Sequence, residues 1–268
     1  MTPTRDAASA TTGPPLVYQL VAHPIRWKLL RELAHSDHAV HELTRLLGER
    51  QSLVSYHLHR LRAAELVRTR RSAADGRDRY YAVDLARCGE LLQSAGGALH
   101  PALRFVPREL AHDRRRTRAR HRVLYLCTGN SARSQMAEAL TQHISRGTVA
   151  AVSAGSNPKP LHPTAVRVMK KRGLDIAANR TKHLDEFVNQ RFDAVVTLCD
   201  RVREVCPEFP SAADRVHWSI PDPGAVSGDD RARLAEFERV ATELETRIGF
   251  LVRVLDERTT RRFSHAQR

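Results

Sequence analysis

The chain has 268 residues, enough for two modest hydrophobic cores. It carries 44 lysines and arginines against 30 acidic residues, and its formal charge of +14 favours a polyanionic partner. It contains no run of 18 apolar residues, no charged-then-apolar N-terminal leader and only 4 cysteines. A membrane span and a disulfide-stapled secreted fold are therefore not expected, and a reducing cytoplasm is.

Residues 1–15, rich in Ala, Thr, Pro and Gly, read as a disordered tail. An apolar pattern then starts at Leu16, with Leu20 and Val21 on the same helix face. Pro24 opens a second helix bearing Ile25, Leu29, Leu30 and Leu33 on one side. A short third helix holds Val40, Leu43, Leu46 and Leu47 and stops at Gly48. A fourth starts at Gln51; Val54, Leu58 and Leu61 form its inner face, and Gln51, Ser52, Ser55, Tyr56 and His59 its outer face. Two strands follow, Leu66–Arg70 and Arg79–Val83, joined across the hairpin signal Asp75-Gly76. Arg68, Arg70, Arg71, Arg77 and Arg79 make this hairpin a basic wing suited to phosphates.

Residues 16–95 resemble a winged helix-turn-helix regulator of the ArsR type. The resemblance rests on His23-Pro24-Ile25-Arg26, Glu42-Leu43 with Leu46-Leu47-Gly48, Gln51 with Val54-Ser55-Tyr56-His57-Leu58, and the wing at Asp75-Gly76-Arg77. It implies a homodimer on a double-stranded DNA operator, with Gln51, Ser52, Ser55, Tyr56 and His59 toward the bases and Arg70 and Arg77 on the backbone. A solvated surface is the alternative for that helix face. The family's thiol pair belongs in the third helix, which here reads Val40-His41-Glu42-Leu43-Thr44 without cysteine. His38 and His41 have helical spacing but are more simply solvated, so no metal site is expected. Cys88 stands alone and reads as a packing residue.

Residues 96–121 read as a basic linker: Gly96-Gly97 and Pro101 break the pattern, and Arg108, Arg114, Arg115, Arg116, Arg118 and Arg120 follow. A solvated face and added phosphate contacts are equal readings of this run.

The second domain, residues 122–257, opens with the apolar strand Val123–Leu126, a polar loop and a helix containing Met136, Ala137 and Leu140. The loop residues Thr128, Gly129, Asn130, Ser131, Ala132 and Arg133 are read as an oxyanion nest at a helix N-terminus. Cys127 opens the loop, Arg133 closes it with a planar charged fork, and Ser134 can donate its hydroxyl to the sulfur. An anionic sulfur, the reactive form of cysteine, would be held by the same positive field. Strands at Val149–Gly155, Ala194–Leu198 and Arg215–Trp218 alternate with helices at Pro163–Arg172 and Arg231–Leu255, giving an α/β doubly wound parallel sheet with a tail at 258–268. The site is expected at the C-terminal ends of the strands. Cys199 follows the third strand and Cys206 lies seven residues on.

This half resembles the low-molecular-weight protein tyrosine phosphatases, and most closely the thioredoxin-coupled arsenate reductases that share their fold. The matching residues are Cys127 to Ser131, Arg133 to Glu138, Val195 to Cys199, Cys206-Pro207, His217-Trp218 and Asp222-Pro223. The resemblance implies arsenate bound in the nest, attack by Cys127, Asp222 as the acid, and transfer through Cys199 to Cys206, with thioredoxin as external reductant and no bound cofactor. Ala132 replaces a frequent loop cysteine, and Lys182 stands where some relatives have an acid that helps bind potassium. A fixed ammonium could replace that ion; a solvated lysine is the alternative. Two other functions fit the same residues: a phosphatase fused to a regulator, and an arsenite-sensing repressor that uses the C-terminal thiols.

Overall fold

The computed structural model describes residues 13–74, 76–100, 119–206, 209 and 212–266. Most of the expected N-terminal tail, Asp75 of the hairpin turn, the arginine run at 101–118 and Pro207 lie outside them.

The first unit contains α1 (Leu16–Val21), α2 (Pro24–His35), β1 (His38–Ala39), α3 (Val40–Leu47), α4 (Gln51–Ala63), β2 (Val67–Arg71), β3 (Arg79–Val83) and α5 (Leu85–Leu99). Pro24 sits in the first turn of α2, where His23 caps the helix by accepting the Ile25 N–H (3.2 Å). Gly48 ends α3 because it adopts φ 68°, and its N–H closes on the Thr44 carbonyl. Leu29, Leu43, Val54, Leu58 and Leu61 are wholly buried between the helices and a three-stranded antiparallel sheet ordered β1-β3-β2. Each such side chain contributes about 1.5–3 kcal/mol.

α5 departs from the expected break at Gly96-Gly97 and runs through both glycines. Ala95 and Gly96 are buried, and packing outweighs a glycine penalty of about 1 kcal/mol per residue.

The second unit contains β4 (His121–Cys127), α6 (Arg133–Ile144), β5 (Val149–Gly155), α7 (Pro163–Lys171), β6 (Ala194–Thr197), α8 (Asp200–Val205), β7 (Arg215–His217) and α9 (Asp230–Ala266). Its four strands are parallel in the order β5-β4-β6-β7. β4 and β6 are buried on both faces, which explains their unbroken apolar runs. The chain passes from β4 to β5 on one side and then crosses to β6 on the other, so the ends of β4 and β6 form the topological switch point. α9 is longer than the periodicity suggested and takes residues 258–266 of the expected tail into the helix. Its buried stripe, Phe237, Val240, Leu244, Ile248, Val252 and Leu255, belongs to the sheet's core.

The two units meet at Ser36 and Asp37. The Asp37 N–H donates to the His217 carbonyl (2.7 Å), and the His217 N–H donates to Ser36 Oγ (2.9 Å). The Asp37 carboxylate takes the Ser219 N–H (2.8 Å) and pairs with Arg247 (2.8 Å) while almost fully buried.

Candidate active site and nucleic-acid interface

Cys127 is the last residue of β4 and Arg133 the first of α6, so five residues must turn the chain. Asn130 makes the turn possible at φ 45°, a left-handed value that asparagine tolerates better than most residues. Its amide then holds the loop together. Nδ2 donates to Ser134 Oγ (2.8 Å) and Ser153 Oγ (2.9 Å), while Oδ1 accepts from Gln135 Nε2 (3.0 Å) and the Lys182 N–H (2.8 Å). Gly155 lies opposite. A Cβ there would stand 2.5 Å from the Thr128 carbonyl oxygen and 2.8 Å from the Asn130 nitrogen.

The carbonyls of Thr128, Gly129 and Ser131 accept N–H groups from Asn157 (2.9 Å), Lys159 (2.8 Å) and His162 (2.9 Å). In a planar trans peptide C=O and N–H point in opposite directions. The N–H groups of Gly129, Asn130 and Ala132 therefore point away from those partners. The α6 N-terminus adds its positive end, the arrangement that favours a bound oxyanion.

Cys127 Sγ lies 3.0 Å from Ser134 Oγ. Because that hydroxyl already accepts from Asn130, its own hydrogen is left for the sulfur. Arg133 is buried; one guanidinium nitrogen donates to the Ile220 carbonyl (2.9 Å) and another pairs with Asp222 (3.3 Å). Asp222 is exposed and accepts the Gly224 N–H (3.1 Å) at the start of a 3-10 turn, Pro223–Ala225. Cys199 follows β6, beside β4, and its Sγ is 3.3 Å from Thr128 Oγ1. Adjacent strands lie about 4.8 Å apart, so the ends that carry Cys127 and Cys199 are neighbours. Cys206 caps the far end of α8; burial pushes its thiol up to about 11, against a weak opposing effect of Arg215. Cys127, Cys199 and Cys206 are all unbridged.

Lys182 is not a solvated lysine: its ammonium pairs with Glu138 (3.1 Å), and both side chains are largely buried. The sequence reading also missed Ser153, Gln135 and Gly155 as supports of the loop. A glycine closing a strand is the one signal that pointed to Gly155, since it marks a close backbone approach.

On the winged helix, Gln51, Ser52, Ser55, Tyr56 and His59 all lie exposed along α4. Arg77 is exposed beyond the turn at Gly76, which has φ 69°. Arg70 requires a correction. It is not turned toward a DNA backbone but inward, with its guanidinium on both Asp200 oxygens (3.1 and 2.9 Å) and its Nε on the Ser219 carbonyl (2.9 Å). Strand alternation cannot show this, because the acceptor lies 130 residues away on the other domain. His38 and His41 do not converge; they face Glu42 and Asp78, each at 3.7 Å. Among the described residues no group of three His, Cys, Asp or Glu could hold a metal, and no helix is long and apolar enough to cross a membrane.

Residues 122–261 match the low molecular weight phosphotyrosine protein phosphatases, a span of more than half the chain. The chain belongs to that family. Residues 23–69 match the bacterial regulatory proteins of the arsR family. Curated relatives include an arsenate reductase of Halalkalibacterium halodurans, 40% identical over 126 residues, covering 47% of this chain and 91% of the relative. The arsenate reductase of Bacillus subtilis is 36% identical over 126 residues, again covering 47% of this chain and 91% of the relative. Among solved structures, an arsenate reductase in the phosphate binding state is 28% identical with a TM-score of 0.44, covering 49% of this chain and 96% of that one. In the phosphatase-family domain, the match spans the whole constellation from Cys127 to Asp222.

Proposed function

We propose that this protein reduces arsenate to arsenite through three thiols and carries an ArsR-type DNA-binding regulator on the same chain. The observation that carries the reading is the placement of Cys127 and Cys199 at adjoining strand ends, with Cys206 one short helix away. The arsenate reductases among its relatives support it.

Arsenate sits against the N–H groups of residues 128–132 and the Arg133 fork. Cys127 attacks arsenic as a thiolate, and Asp222 protonates the departing oxygen, which leaves as water. Cys199 then attacks the sulfur of Cys127. An S–S bond forms, the S–As bond breaks, and its electron pair stays on arsenic, which leaves as arsenite. Cys206 attacks Cys199 in turn and expels Cys127 as thiolate, which leaves a Cys199–Cys206 disulfide. A thioredoxin dithiol reduces that bond by exchange. Lys182, fixed on Glu138, supplies the charge that a potassium ion would otherwise bring. The regulator acts as a cytoplasmic homodimer, with α4 in the major groove and Arg77 on the phosphates.

A coupled assay with thioredoxin and thioredoxin reductase tests this reading. Arsenate should be turned over by the wild type and not by Cys206→Ser. The second reading, a phosphatase, is favoured by the Cys127, Arg133 and Asp222 geometry alone. Residues 222–227 offer no aromatic to grip an aryl substrate. Cys206→Ser separates the two, because hydrolysis of a small aryl phosphate needs no second or third thiol. Full arsenate turnover by Cys206→Ser would sink the relay.

A further inference from the structure

The charged side chains of α8 mostly face the winged helix. Asp200, the residue after Cys199, takes both Arg70 and the Ala73 N–H (2.6 Å) from the wing. Arg201 donates to the Ala73 carbonyl (3.1 Å). Arg203 forms a two-pronged pair with Glu42 at the start of α3, one prong at 3.3 Å, and lies over the Tyr80 ring. Burial by itself would push the Asp200 carboxyl up, but hydrogen bonds from His217, Ala73 and Ser219 and the charge of Arg70 hold it well below the usual range. Glu42 is likewise opposed by burial, yet it is drawn down to about 2 by His38, the Ala39 N–H and Arg203. These contacts are charge-assisted, and the ion pairs among them are at least half-buried.

Seven helical residues rise about 10.5 Å, whereas a disulfide needs Cα atoms within roughly 7 Å. A Cys199–Cys206 bond therefore requires α8 to unwind, and unwinding withdraws Asp200, Arg201 and Arg203 together. The other half of the seam, Asp37 with Arg247 and Ser219, lies outside the looped segment.

We propose that α8 is a redox latch on the regulator. In the reduced protein it clamps the wing through Arg70 and Ala73 and the start of α3 through Glu42. The Cys199–Cys206 disulfide opens the clamp, and the winged helix stays tethered at Asp37. Opening takes Asp200 away from Arg70, whose Nε keeps the Ser219 carbonyl, and loosens α3, the helix whose Gly48 turn leads directly into α4. Arg70 and Glu42 are positioning residues for the last thiol transfer, because they hold wound the segment that must unwind. The inference rests on the relay proposed above and extends it to the DNA-binding half.

Hydrogen exchange on the full-length chain tests it, comparing reduced protein with protein oxidised by arsenate or by the thiol oxidant diamide. Peptide mass locates the disulfide in each sample. With the Cys199–Cys206 bond formed, residues 39–42 and 70–74 should lose protection by about tenfold or more, while residues 54–61 keep theirs. Cys206→Ser, in which oxidation stops at the Cys127–Cys199 bond, should keep both segments protected. Glu42→Gln should speed formation of the Cys199–Cys206 bond by diamide several-fold. Unchanged protection of 39–42 and 70–74 with that bond in place would overturn the latch, as would an unchanged rate in Glu42→Gln. If diamide opens the latch and arsenate forms no disulfide, the latch stands and arsenate reduction falls. If neither oxidant forms the bond, both fall.

Discussion

Asn130 joins the backbone of the oxyanion loop to its chemistry. One amide in a left-handed conformation orients Ser134 beneath the Cys127 sulfur and ties the loop to Ser153, Gln135 and Lys182. Gly155 is the matching close approach of backbone to backbone. A methyl group at 155 would meet the Thr128 oxygen and the Asn130 nitrogen, both backbone atoms of the loop. Gly155→Ala should cost about 1–3 kcal/mol of stability, a typical overpacking penalty. Arsenate kcat/KM should fall by at least ~10-fold, which is about 1.4 kcal/mol of transition-state binding. Thermal denaturation and steady-state kinetics check both; wild-type values in each would show that the close approach is dispensable.

In the proposed relay α8 sets the timing of the last transfer. Burial pushes the Cys206 thiol up to about 11, so at neutral pH little of it is thiolate. Below that value the thiolate fraction grows about tenfold per pH unit. The rate at which Cys206 displaces Cys127 should therefore climb between pH 7 and 9 with a slope near one on a logarithmic plot. Rapid quenching of the Cys127–Cys199 intermediate measures it, and a plateau in that window would contradict a half-buried resolving thiol. Several elements are legible in the sequence itself. The apolar runs that became β4 and β6, the Gly48 stop of α3 and the Val54, Leu58 and Leu61 face of α4 follow from local periodicity and turn chemistry. The candidate loop was readable for the same reason: Cys127, Arg133 and Ser134 lie within one strand-to-helix turn. The inward turn of Arg70 and the helical path through Gly96-Gly97 were not readable. Both are set by packing partners distant in sequence, and neither strand alternation nor helix propensity reports these.

At the scale of the whole molecule, the seam between the domains depends on pairs separated by up to 210 positions, such as Arg247 with Asp37, and no pattern in the chain announces them. They place the regulator's wing on the helix that links two of the three thiols and leave the outer face of α4 exposed. The proposed latch would thereby join chemistry at the switch point of the parallel sheet mechanically to the DNA-binding half. All of this depends on electrons from the thiols reaching arsenic in the stated order. The most direct measurement gives fully reduced wild-type protein arsenate with no external thiol, quantifies arsenite, and maps the resulting disulfide by peptide mass. The account predicts a single arsenite per chain, a Cys199–Cys206 bond and a free Cys127. No arsenite, or arsenite accompanied by a disulfide at any other position, would contradict it.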